Sequence, residues 1–189
     1  MALRFEPVDF FYDNHLWKIM KFKRGIKTII MNKIFEQMNN ILTIYSKVLV
    51  VRFDLRTTQP MKDNKLINEF NKKFKQKLKK QYNCEVAYIW VREQTLTSNN
   101  PHYHCAVMIN GHKAQSSFGI AKAITAAINN LSQPLSVYYP ENNAYKIKRA
   151  DAESVQRAIY RLSYLAKKET KGNRPLFTSD YQASRLKAI

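Results

Sequence analysis

Two histidines separated by one residue, His102-Tyr103-His104, stand at the head of the apolar run Cys105-Ala106-Val107-Met108-Ile109. In a β-strand, residues two apart point to the same face, so both imidazoles aim at one place while Tyr103 and Cys105 face away. A strand-borne histidine pair is a start on a divalent-metal site. Glu93 lies near the end of the preceding strand pattern, Glu85 to Thr95, which a short polar turn around Ser98-Asn99-Asn100-Pro101 joins to the histidines. Alternation puts Ala87, Ile89, Val91 and Glu93 on one face, so a carboxylate stands beside the imidazoles. Such a three-ligand site suits Mg²⁺ or Mn²⁺ with a phosphate oxygen in an open position. A bulge would exchange the faces and bring in Gln94 instead.

Further along, Tyr160-Arg161-Leu162-Ser163-Tyr164-Leu165-Ala166-Lys167-Lys168 sets two phenols four residues apart, one turn apart on a helix. Lys168 continues their row and Lys167 flanks it. Tyrosine is nucleophilic as the phenolate, whose ordinary pKa is about 10, and an adjacent lysine or metal cation favours that form. A metal to polarise phosphate, a tyrosine to attack and a lysine to balance charge make a coherent phosphoryl-transfer set.

Several elements must position these groups. The helical stripe Ile30, Ile34, Met38, Ile41 and Tyr45 marks a helix over residues 28–45, while residues 1–25 read as an arm or peripheral helix. Residues 47–56, KVLVVRFDLR, form a strand with Leu49, Val51, Phe53 and Leu55 on one face and Val48, Val50, Arg52 and Asp54 on the other. Leu66, Phe70, Phe74 and Leu78 bury a helix over residues 62–82, whose lysines from Lys72 to Lys80 make a solvated face. A helix follows over residues 117–131, then one or two short strands within 134–149. A final helix begins at an Asp151 cap and runs to about Lys168. Strand, helix, two-strand hairpin, helix and strand predict an α+β fold: a ferredoxin-like antiparallel sheet with helices on one face, and the other face left for substrate. The expected divisions are a helical extension over 1–45, the central domain over 46–168 and a basic tail over 169–189.

Composition narrows the partners. The chain has 189 residues, with 32 Lys and Arg against 14 Asp and Glu, a formal charge of +18 that favours a polyanion, nucleic acid before membrane. Hydrophobic residues at 45% argue against a disordered chain. Cys84 and Cys105 lack disulfide-framework or zinc-site spacing. With no long apolar span or signal-peptide layout, a cytoplasmic location without membrane contact is expected.

Taken in order, Asp54-Leu55-Arg56, Arg92-Glu93-Gln94, Pro101-His102-Tyr103-His104 and Tyr164-Leu165-Ala166-Lys167 resemble the HUH endonuclease superfamily, particularly the replication initiators of filamentous phages and prophages. The resemblance covers roughly Val48 to Lys171. It implies that His102, His104 and Glu93 hold the metal. Tyr164 would attack a phosphate of single-stranded DNA at an origin or hairpin, leaving a 3′-hydroxyl and a 5′-phosphotyrosine that a later 3′-hydroxyl can reverse. This would start rolling-circle replication of a mobile element, with strand separation supplied by a host helicase. Tyr160 is the candidate partner tyrosine. Ser163 stands where two-tyrosine phage initiators often carry lysine, a departure from that pattern. Arg52, Arg56, Arg92 and Lys171 are the candidate DNA contacts, although Arg52 and Asp54 would equally serve as an internal ion pair. The alternatives are a non-catalytic nucleic-acid-binding regulator on the same sheet, or a transposase or relaxase with the same chemistry.

Overall fold

The computed structural model describes residues 6–95, 100–169 and 174–188. It opens with a hairpin, β1 (Pro7–Tyr12) and β2 (His15–Met20). This is neither the arm nor the helix expected before residue 25. Asp13 and Asn14, both at positive φ, make the two-residue connection that matches strand twist. Val8, Phe10 and Tyr12 face inward, and the rings of Phe10 and Tyr12 stack on Phe35. Exposed Phe11 breaks the alternation and hides the strand pattern from a sequence reading. The expected helix follows as α1 (Thr28–Ile44), with Ile30, Ile34, Met38 and Ile41 fully buried.

The main sheet is built from β3 (Lys47–Thr57), β4 (Val86–Glu93), β5 (His102–Asn110), β6 (Leu135–Tyr138), β7 (Ala144–Lys148) and β8 (Tyr181–Ala183). Its order is β6-β3-β5-β4-β8, with β7 also paired to β3, and all pairings are antiparallel. The helices α2 (Lys65–Tyr82) and α3 (Ser117–Ile128) join β3 to β4 and β5 to β6, which gives the split βαβ arrangement expected. Both pack on one face, against Leu49, Val51, Phe53, Trp90, Tyr103 and Val107.

The opposite face is not open as expected. α1 and α4 (Ala152–Leu162) cover it over Val48, Val50, Ala87, Ile89, Val91, Ala106 and Met108. The reason lies in the strands themselves: these inward positions are apolar and must be buried. The β3 C-terminal end, the β5 N-terminal end and the β4 C-terminal end bring Arg52, Asp54, His102, His104 and Glu93 together on this face, and the site occupies that end. Asp151 caps α4, accepting from the Ser154 N–H at 3.0 Å, as its position predicts. The helix stops at Leu162, short of the expected Lys168, and a 3₁₀ turn, Ser163–Ala166, continues the chain. The C-terminal segment is tied to the domain in its described part. β8 pairs with β4, Asp180 binds Lys27 and Arg174, and the Leu186 carbonyl accepts from Asn40. Three residues of strand are too few to show a period.

Candidate functional site

Sheet register assembles the site in two rows. In the first, Asp54 of β3 pairs with His104 of β5, which pairs with Val91 of β4. In the second, Arg56 pairs with His102, which pairs with Glu93. Paired residues share a face, so the acids and imidazoles converge, and Gln94 points away with Arg92 as the strand parity requires.

Asp54 is almost fully buried. Burial alone would raise its pKa, but the adjacent His102 and His104 imidazoles and the Arg52 charge hold the carboxyl well below the usual range. Being ionised, it can only accept, so His104 must carry its proton on Nδ1, 2.8 Å from Asp54 Oδ1. The Nε2 of His104 then presents a lone pair, and it lies 3.0 Å from Glu93 Oε2. Burial lowers the His102 pKa, although Asp54 opposes this, and its neutral form also offers a lone pair. The Nε2 atoms of both histidines are buried without a hydrogen-bond partner among the described residues. Two buried imidazole lone pairs and converging carboxylates fit a cation. One donor atom from each of Asp54, His102 and His104 lies within 4.8 Å of the others, so this group could bind a divalent metal. The third ligand expected beside the two histidines is Glu93. The close set contains Asp54 instead, and Glu93 adjoins it at His104. The strand period puts Asp54 on this face, but its pairing with His104 across the sheet has no signal in local sequence.

Tyr164, on the 3₁₀ turn, closes the site from above. Its ring meets His104 edge-on, with centroids 5.1 Å apart, and the Arg52 guanidinium lies 4.3 Å from its centroid. Lys167 Nζ donates to the Tyr164 hydroxyl at 2.8 Å and stands 3.3 Å from Glu93 Oε2. Burial works against the Lys167 charge, but Glu93 and the Tyr164 hydroxyl outweigh it and raise the pKa, so this lysine is cationic at neutral pH. Backbone bonds from the Lys27 N–H to the Ala166 carbonyl and from the Lys168 N–H to the Gly25 carbonyl pin the turn. Gly25, at φ +72°, permits the bend that brings this segment in.

The remaining candidates divide clearly. Tyr160 lies on α4 before the change to 3₁₀ geometry, so the expected single row with Tyr164 and Lys168 is broken, and Lys168 is exposed. Ser163 is fully buried: it accepts from the Met20 N–H at 3.0 Å and donates to the Tyr160 carbonyl at 2.6 Å. Arg52 is buried, 3.6 Å from Asp54, and shapes the site from within. Arg92, expected among the DNA contacts, is turned into the protein. It is 1% exposed on the opposite face and donates to the Met61 and Asp63 carbonyls, Asn64, Tyr103 and Gln94. Arg56 is exposed and lines a cleft of about 330 Å³ with Glu93, Gln94, Asn100 and His102. Lys171 lies outside the described residues, as do Ser98 and Asn99 of the expected turn.

Fold and side chains together define an α+β domain with a HUH-type His-x-His pair and an aspartate on its sheet, faced by a tyrosine and a lysine. The chain belongs to the family described as the YagK/YfjJ C-terminal domain, a prophage-associated family whose model matches residues 12–179. No curated protein and no solved structure is recognisably similar. Among the described residues, no helix is long and apolar enough to cross a membrane.

Proposed function

We propose that this protein nicks and rejoins single-stranded DNA through Tyr164, initiating rolling-circle replication of a mobile element. The observation that carries the reading is the Lys167–Tyr164 hydrogen bond set directly on His104 of the Asp-His-His group. Membership of a prophage-associated family agrees with the biological setting.

Tyr164 Oη would form a bond to phosphorus as the bond from phosphorus to the 3′-oxygen breaks. The phenol proton passes to a base in the site or to solvent, and the departing 3′-oxygen takes one up, so the step is proton-neutral. The phosphodiester is exchanged for a 5′-phosphotyrosine, which preserves its energy for rejoining. Lys167 donates to the nucleophilic oxygen and stabilises its charge, while Glu93 holds the ammonium in place. Asp54 fixes the His104 tautomer and ring orientation. Arg56, at the rim of the cleft, would receive the scissile or neighbouring phosphate. Asp54, His102 and His104 would hold Mg²⁺ or Mn²⁺, with Glu93 as a further donor. Such an ion supplies polarisation of the phosphoryl oxygens and neutralises their charge. Strand separation is assigned to a host helicase.

The test is a covalent-adduct assay. Protein, Mn²⁺ and 3′-labelled single strands from the replicon carrying its gene are combined and run on a denaturing gel. A labelled protein band lost in Tyr164→Phe and His104→Ala, but kept in Tyr160→Phe, is expected. Tight DNA binding with no adduct from any strand of the replicon would favour the non-catalytic regulator instead.

A further inference from the structure

Edge strand β6 carries an aromatic residue beside the site that the reading above does not use. Tyr138 is the register partner of Asp54, so the row Asp54–His104 extends one strand outward to Tyr138. Leu135 and Val137 of β6 pack into the core beneath α2 and α3, which turns Ser136 and Tyr138 to the site's face. Tyr138 is 55% exposed there. Its ring therefore stands on the edge strand, beside the row that holds the buried acid and more than half open to solvent.

Past Tyr138 the chain runs on along the same edge of β3 into β7. Tyr139 faces an open groove of about 350 Å³ on the outer side of α3, lined also by Phe118, Lys122 and Thr125. Phe118 is 66% exposed, and Lys122 Nζ lies 4.5 Å from its ring centroid. Among the described residues, Lys122 is the one charged side chain lining the groove. Exposed rings interleaved with a cation, on a chain of charge +18, match what single-stranded nucleic acid requires: faces for bases and positive charge for phosphates.

We infer that Tyr138, with Tyr139, Phe118 and Lys122 beyond it, forms a base-stacking subsite for the single strand flanking the scissile phosphate. The inference rests on the nicking reading in taking this ligand to be the strand that Tyr164 attacks. The strand would leave the Asp54–His104 row over Tyr138 and pass round the β6 edge into the α3 groove. Stacking is indifferent to base identity, so this subsite adds affinity and direction rather than sequence choice.

The experiment measures binding and nicking separately on the full chain. Fluorescence anisotropy of a labelled single strand from the replicon is followed for wild type, Tyr138→Ala, Tyr138→Phe, Phe118→Ala and Lys122→Ala across a salt series. Adduct formation is scored in parallel. Loss of a stacked base weakens binding roughly tenfold, so Tyr138→Ala and Phe118→Ala should each lose about that much with an unchanged salt slope. Tyr138→Phe should restore binding, and Lys122→Ala should reduce the slope by about one. Affinity of Tyr138→Ala within about twofold of wild type would overturn the subsite, while wild-type adduct formation in the same samples would leave the nicking reading standing. Tenfold weakening in Tyr138→Ala with no adduct from wild type would do the reverse, keeping a single-strand binder and removing the nickase.

Discussion

Replacing Asp54 by Asn should destabilise the fold by roughly 3–5 kcal/mol, the range for breaking one side of a buried ion pair. Arg52 and Asp54 are both about 4% exposed and stand 3.6 Å apart. At that separation an effective dielectric near 20 gives a charge–charge attraction of about 4–5 kcal/mol. Asn keeps an acceptor for His104 Nδ1–H, so the loss isolates charge rather than hydrogen bonding. What remains is a guanidinium buried against the Tyr164 ring that has lost the carboxylate paired with it. Burial already lowers the Arg52 pKa against the opposing effect of Asp54, so this cation depends on its partner. Urea unfolding in the presence of a chelator reads the effect without metal. The double substitution Arg52→Met with Asp54→Asn should recover a large part of the loss, because it removes the stranded charge. A cost below about 1 kcal/mol for Asp54→Asn, or additive single and double substitutions, would refute the argument.

Further outcomes follow from the same geometry. Mn²⁺ at about a hundred times its dissociation constant should stabilise wild type by about 2.7 kcal/mol, raising Tm by at least about 5 °C in differential scanning fluorimetry, and His102→Ala with His104→Ala should abolish the rise. Ser163→Ala leaves the buried Met20 N–H without its acceptor and should cost about 1–3 kcal/mol in the same unfolding assay. Arg92→Met should lower stability far more than Arg56→Ala, whereas Arg56→Ala alone should reduce the salt slope of DNA binding by about one, read by anisotropy. Burial holds the folded His102 pKa below its ordinary value of about 6.5, so the unfolded chain takes up that proton first as pH falls. Metal-free stability should therefore drop from about pH 6.5 downward, and His102→Gln should flatten that part of the profile in chelator-treated samples.

Local sequence determined much of this protein. The period of two in the strands placed His102, His104, Glu93, Arg52 and Asp54 on one face, and it also put Arg92 on the other, beside Gln94. Helical stripes located α1, α2, α3 and α4, because each buries its own apolar face and carries that pattern within a few turns. A histidine pair with one residue between needs no tertiary information to converge, since the strand itself aligns the rings. Cross-strand partnership was decided elsewhere. Asp54 meets His104, and Tyr138 meets Asp54, through hydrogen-bond register between segments some fifty and eighty-four residues apart in sequence. Nothing local to either segment encodes which residues will stand opposite. The 3₁₀ turn that follows α4 is likewise tied to a distant segment, the β2 backbone at Met20 bonded to Ser163. Arg92 reads as an available cation until α2's N-terminal approach supplies the carbonyls that consume it. Periodicity is a property of one segment and its own geometry; a site is a property of several, and only packing brings them into register.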